Sequence, residues 1–108
     1  MAGLENERAS AALGTSFDAS GAPVIALAGE LDISNVASIE SRLQSIISSS
    51  PRVSFDLSAL TFMDSSGIAM LLRAAERTGT VALRRPSDTI RRVIRATGLT
   101  EVFEIVDD

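Results

Sequence analysis

The chain has 108 residues, 45% of them hydrophobic, which is enough for one compact domain burying about two-thirds of its unfolded surface and too little for two. It contains no Cys and no His, and all ten basic residues are Arg. That composition excludes thiolate chemistry, disulfides, Cys/His zinc sites, an imidazole base and the lysine of a P-loop or a Schiff base, and the net charge of -4 speaks against a nucleic-acid binder.

Residues 1–12 are small, polar and charged without a sustained period, and are expected to form a flexible tail ahead of a domain spanning 13–108. The first eight residues lack the basic-then-apolar order of a signal peptide, and no run of about 18 apolar residues is present, so a cytoplasmic protein is expected with no membrane partner. Two apolar runs, Gly14 to Ala19 and Ala22 to Ala28, flank Ser20-Gly21 and predict a hairpin. The second run is apolar on both alternating sets, as in a central strand covered on both faces.

Ser34 is placed to cap a helix whose Val36, Ile39, Leu43, Ile46 and Ile47 recur at helical spacing until Ser48-Ser49-Ser50-Pro51 stops it. Val53, Phe55 and Leu57 alternate with polar residues and predict a third strand. Ile68, Leu71, Leu72 and Ala75 make a second helical stripe ending at Thr78-Gly79. Val81-Ala82-Leu83 is a fourth strand, and Pro86-Ser87-Asp88 opens a third helix carrying Ile90, Val93 and Ile94. Val102 to Val106 closes the chain as a short strand or a segment docked on the sheet. The order β-β-α-β-α-β-α-β predicts an α/β domain with a mixed four- to five-stranded sheet.

That architecture gives chemistry an address. Ligands and reactive groups gather beyond the carboxyl ends of parallel strands, and a right-handed crossover makes the second and third strands parallel. Asp32 follows the second strand and Asp64-Ser65-Ser66-Gly67-Ile68 follows the third, so both fall at one end. A phosphoryl group on Ser65 or Ser66 would meet unpaired N–H groups and the positive end of a helix dipole. Asp and Ser at such a place also serve as ordinary helix caps. Asp56, inside a strand, reads as a brace for the Ser58 turn. Met63, Ile68 and Met70 read either as core, the commoner place for Met at such positions, or as an apolar contact surface with Arg73, Glu76 and Arg77 as its polar rim. Arg84, Arg85, Arg91, Arg92 and Arg95 read as a solvated face.

The run Phe62-Met63-Asp64-Ser65-Ser66-Gly67-Ile68 resembles the switch motif of the anti-sigma factor antagonists, which are built on the STAS domain. Gly29-Glu30-Leu31-Asp32, Phe55-Asp56-Leu57-Ser58 and Arg92 through Val102-Phe103 resemble the same family in the same order, so the likeness covers about Val24 to Val106. The resemblance implies that Ser65 is the phospho-acceptor, with Ser66 the lesser candidate. It implies that Asp32, Asp64, Ser66, Gly67 and Ile68 surround the switch. It further implies an ATP-dependent serine-kinase anti-sigma factor as partner, bound by the unphosphorylated form and released on phosphorylation, and a serine phosphatase that resets the switch. No cofactor, metal or catalytic residue is implied, and the free protein is expected to be a monomer. Because the chain stops at Asp108, the further terminal helix of some relatives is not expected.

Two rivals follow from other classes. A serine hydrolase would place Ser65 on a nucleophile elbow, but the Gly-x-Ser-x-Gly spacing and the histidine base are both missing. A non-switching STAS module, acting as a scaffold or a transporter accessory subunit, would keep the fold without the phosphorylation cycle.

Overall fold

The computed structural model describes residues 11–47 and 50–107. The expected flexible tail lies mostly outside these residues, as do Ser48 and Ser49 of the predicted helix stop. Five strands form one sheet in the order β1-β2-β3-β4-β5: Ala11–Phe17, Pro23–Leu31, Arg52–Met63, Thr80–Arg84 and Glu104–Val106. Three helices connect the later strands: α1 (Val36–Ile47), α2 (Ser65–Thr78) and α3 (Asp88–Ala96). The β-β-α-β-α-β-α-β order read from the sequence is the order found, with β1 antiparallel to β2 and the remaining pairs parallel.

β1 begins at Ala11, two residues ahead of the expected domain start, because Ala11 and Ala12 pair with Gly29 and Ala28. The hairpin closes at Asp18, whose carboxylate accepts the Ser20 and Ala22 N–H groups at 2.8 and 3.0 Å. Gly21 supplies the positive φ of 88° that this turn needs.

Parallel neighbours taken in sequence order require right-handed crossovers that all lie on one side, so the three helices cover one face of the sheet. The core therefore sits between that face and the helices. Ile25 and Leu27 of β2, Val53, Phe55 and Leu57 of β3, and Val81 and Leu83 of β4 meet Ile39, Leu43, Met70, Leu71, Ile90 and Ile94 in one buried cluster. This corrects the expectation that β2 is covered on both faces. Its second face carries exposed Ala26 and half-buried Val24 and Ala28, residues small enough to be read as core from sequence alone.

β3 is also longer than its alternation suggested. After Leu57 the pattern of two breaks, and the sequence ends the strand there. The structure carries it to Met63 through two irregularities in the β2–β3 ladder, at Ala26/Ala28 and Gly29/Glu30, where β3 holds an extra residue. Each extra residue reverses which side chains point inward, so Leu60 is buried although it is out of phase with Leu57, and the second reversal restores the phase that buries Met63. Asp56 accepts the Ser58 N–H at 3.0 Å at the first irregularity and pairs with Arg85 at 2.5 Å, the bracing role expected of it.

Arg73 of α2 grips Glu40 of α1 with two bonds of 2.6 and 2.7 Å, at the protein surface. Exposed pairs contribute under about 1 kcal/mol, whereas removing a buried Phe costs about 3–5 kcal/mol. Urea unfolding is therefore expected to show Phe55→Ala losing several times more stability than Arg73→Ala; equal losses would mean that the helix pair, not the sheet–helix core, holds the domain.

Candidate functional site

β2 and β3 end side by side, with Leu31 opposite Met63. The chain leaves both strands at the same end, so Asp32 and Asp64 occupy equivalent positions in adjacent loops. The expected meeting of the two acidic loops is thus found, and register produces it.

Asp64 is the N-cap of α2, in extended backbone conformation. Its carboxylate Oδ1 accepts the Ser66 N–H at 2.9 Å and the Gly67 N–H at 3.4 Å, and the Ser66 hydroxyl donates to the same oxygen. Its other oxygen accepts the Ile33 N–H at 3.3 Å, across to the loop that follows β2. The Asp64 N–H in turn donates to the Leu31 carbonyl at 3.2 Å. One carboxylate therefore caps a helix and fastens two loops together. The Ser66 hydroxyl is the main reason the Asp64 carboxyl titrates below its ordinary value of 3.8, opposed by partial desolvation and aided by the N–H groups of Ser66, Gly67 and Ile33.

The second loop is organised by Asp32 and Asn35. Asp32 Oδ1 accepts the Ser34 N–H at 2.9 Å and the Ser34 hydroxyl at 2.5 Å, and its carbonyl accepts the N–H groups of Asn35 and Val36. Ser34 thus donates to Asp32 and does not cap α1 as its spacing suggested. Asn35, only 5% exposed, accepts the Asp32 N–H at 3.0 Å and donates to the Glu30 carbonyl at 2.8 Å. Sequence reasoning passed over Asn35, although an Asn three residues after an Asp at a helix start is a turn signal in its own right.

The two serines differ sharply. Ser66 is half-buried with its hydroxyl committed to Asp64. Ser65, the first residue of α2, is exposed, and its hydroxyl has no hydrogen-bond partner among the described residues.

Gly67 and Ile68 lie beneath this surface and are buried. A Cβ on Gly67 would stand 2.5 Å from Met63 Cγ and 3.1 Å from Leu31 Cδ2, so the glycine lets the first turn of α2 press against the strand ends. Met63, Ile68 and Met70 are 2%, 3% and 0% exposed, so of their two readings the core one holds and the contact surface does not. The expected rim is altered too, since Arg73 is engaged by Glu40. The apolar residues that do face solvent near the site are Ile33 and Phe62. No group of three or more acidic side chains placed to hold a metal occurs among the described residues.

Fold and site together define a small α/β regulatory module of the STAS type. The family model described as "Mlab, STAS domain" matches residues 15–107. The anti-sigma-F factor antagonist RsfB of Mycobacterium tuberculosis is 30% identical over 96 residues, covering 84% of this chain and 78% of that protein. The crystal structure of an anti-sigma factor antagonist from Mycobacterium paratuberculosis superposes with a TM-score of 0.82 at 26% identity, over 92% of this chain and 87% of that one. The Bacillus cell fate determinant SpoIIAA in its phosphorylated form gives a TM-score of 0.64 at 25% identity, over 90% and 93% of the two chains. This chain belongs to the STAS domain family, among the anti-sigma factor antagonists.

Removing the cap by Asp64→Ala is expected to cost about 1 kcal/mol, lowering the thermal midpoint by about 4–8 °C. Because the folded carboxyl titrates below 3.8, its charge contributes fully above that pH and the contribution fades as pH falls through the lower folded value. The stability difference between the native chain and Asp64→Asn should therefore shrink in melts taken below pH 3.8; a difference that stays constant to the acid limit would show that the charge is irrelevant. Gly67→Ala, which must displace buried Met63, is expected to cost about 1–3 kcal/mol in the same melts.

Proposed function

We propose that this chain is a phosphorylation-controlled anti-sigma factor antagonist of the cytoplasm, acting by binding and not by catalysis. The unphosphorylated form binds a serine-kinase anti-sigma factor and so frees a sigma factor; ATP-dependent phosphorylation of Ser65 ends the complex, and a serine phosphatase restores it. The observation that carries this reading is the contrast between the two hydroxyls: Ser65 is exposed and unengaged, whereas Ser66 is held by Asp64. Support also comes from a relative, SpoIIAA, whose structure has been solved in a phosphorylated form.

The physics of release needs no refolding. Phosphorylation adds about -1.5 to -2 charges. When the phosphoryl group comes from a nucleotide held by the kinase itself, the product complex brings phosphoserine and the remaining nucleotide phosphates close together. Two unit charges about 6 Å apart at an effective dielectric of about 20 repel by about 3 kcal/mol, or roughly a hundredfold in affinity. The N-terminus of α2 offsets this within the chain by favouring the anion by about 0.3–1 kcal/mol, so the modified domain stays folded while the complex weakens.

Incubation with the host's anti-sigma factor kinases and ATP tests the proposal, read by intact-protein mass and native mass spectrometry. The native chain should gain one phosphoryl group and leave its partner; Ser65→Ala should gain none and stay bound; Ser66→Ala should still be modified. A Ser65→Ala chain that ATP still dissociates would sink the reading. A native chain that neither binds nor is modified would instead favour the non-switching module.

A further inference from the structure

Ile33 is 77% exposed, more than Phe17 at 68%, Phe62 at 45% or Val102 at 44%. Single apolar residues on a surface are normal and by themselves call for no explanation. Three features set Ile33 apart. It occupies a turn, where polar residues usually stand. That turn is held from several directions: the Ile33 N–H is bound by Asp64, Ser34 by Asp32, and Asn35 ties the Asp32 N–H to the Glu30 carbonyl. And the carboxylate that holds Ile33 also caps the helix that begins with Ser65.

An apolar side chain on a rigid support gives up little conformational freedom when it enters a pocket, which is what a binding hot spot requires. Its surroundings also have one sign. The segments 29–35 and 59–68 carry Glu30, Asp32 and Asp64 but no Arg, in a chain of net charge -4. Phe62 adds a second exposed apolar side chain two residues before Asp64.

We propose that Ile33 is the apolar anchor by which the unmodified chain grips its regulatory partner, and that the partner presents an apolar pocket with a cationic rim. This rests on the antagonist reading and adds to it the residue that carries affinity. Asp64 then joins anchor and switch: a phosphate on Ser65 arrives beside the carboxylate that holds the Ile33 loop in place.

The test is titration calorimetry of the host's purified anti-sigma factor kinases, without ATP, against the native chain and three variants. Ile33→Ser should weaken binding about tenfold or more, as expected for removing a buried aliphatic side chain, while Ile33→Leu retains most of it. Phe17→Ser is the control, because Phe17 pairs with Pro23 at the opposite end of β2 from the site. It should bind as the native chain does. Equal thermal midpoints for Ile33→Ser and the native chain are expected, since the side chain is exposed. Binding by Ile33→Ser at native affinity, or an equal loss in Phe17→Ser, overturns the anchor and leaves the antagonist reading standing. Failure of the native chain to bind any kinase overturns both.

Discussion

The Asp64 carboxylate is the point on which the functional end of this domain depends. It accepts from the backbone of its own helix, from the Ser66 hydroxyl and from the backbone of the neighbouring loop. These are different kinds of demand on one group. A cap alone would fix where α2 starts; the bond to Ile33 also fixes where the β2–α1 loop lies relative to it. Since Leu31 and Met63 are already paired, the carboxylate closes a short circuit between two strand ends. The ring is small and rigid, and Ser65 stands at its edge.

That ring assigns different work to two adjacent serines. A hydroxyl donating to a carboxylate is occupied and held in one orientation. A hydroxyl at the first helical position points away from the helix and stays open to solvent. The same carboxylate thus engages Ser66 and leaves Ser65 available. Beneath it, Gly67 brings the helix onto Met63 and Leu31 closely enough that no larger residue fits without displacing them. The D-S-S-G run accordingly combines a cap, an open hydroxyl, a locked hydroxyl and a packing contact, each with its own physical cause.

The sheet plays a quieter part. Helices lie on one face only, and the second face of β2 carries small side chains beside open surface. Long β3 is what brings the motif to its place: without the first extra residue in its ladder Leu60 would fall out of the core, without the second Met63 would, and either loss would make the Asp64 loop leave the strand elsewhere. The irregular half of the strand positions the site, while the regular half builds the core.

The sequence by itself determined the element order, the inward stripe of each helix, the pairing of acidic loops at one end of the sheet and the identity of the candidate serine motif. Those follow from local periodicity, crossover handedness and residue types that are contiguous along the chain. Only the tertiary structure decided that β3 runs on to Met63, that Asn35 pins the second loop, that Met63, Ile68 and Met70 are core, and that Ile33 is the exposed apolar neighbour. Each of these depends on contacts between residues distant in sequence: Asp64 with Ile33, Gly67 with Leu31, Ala28 with Ala59. A bulge breaks the very period by which a strand is recognised, and an apolar residue looks the same in sequence whether a neighbouring element covers it or leaves it in water.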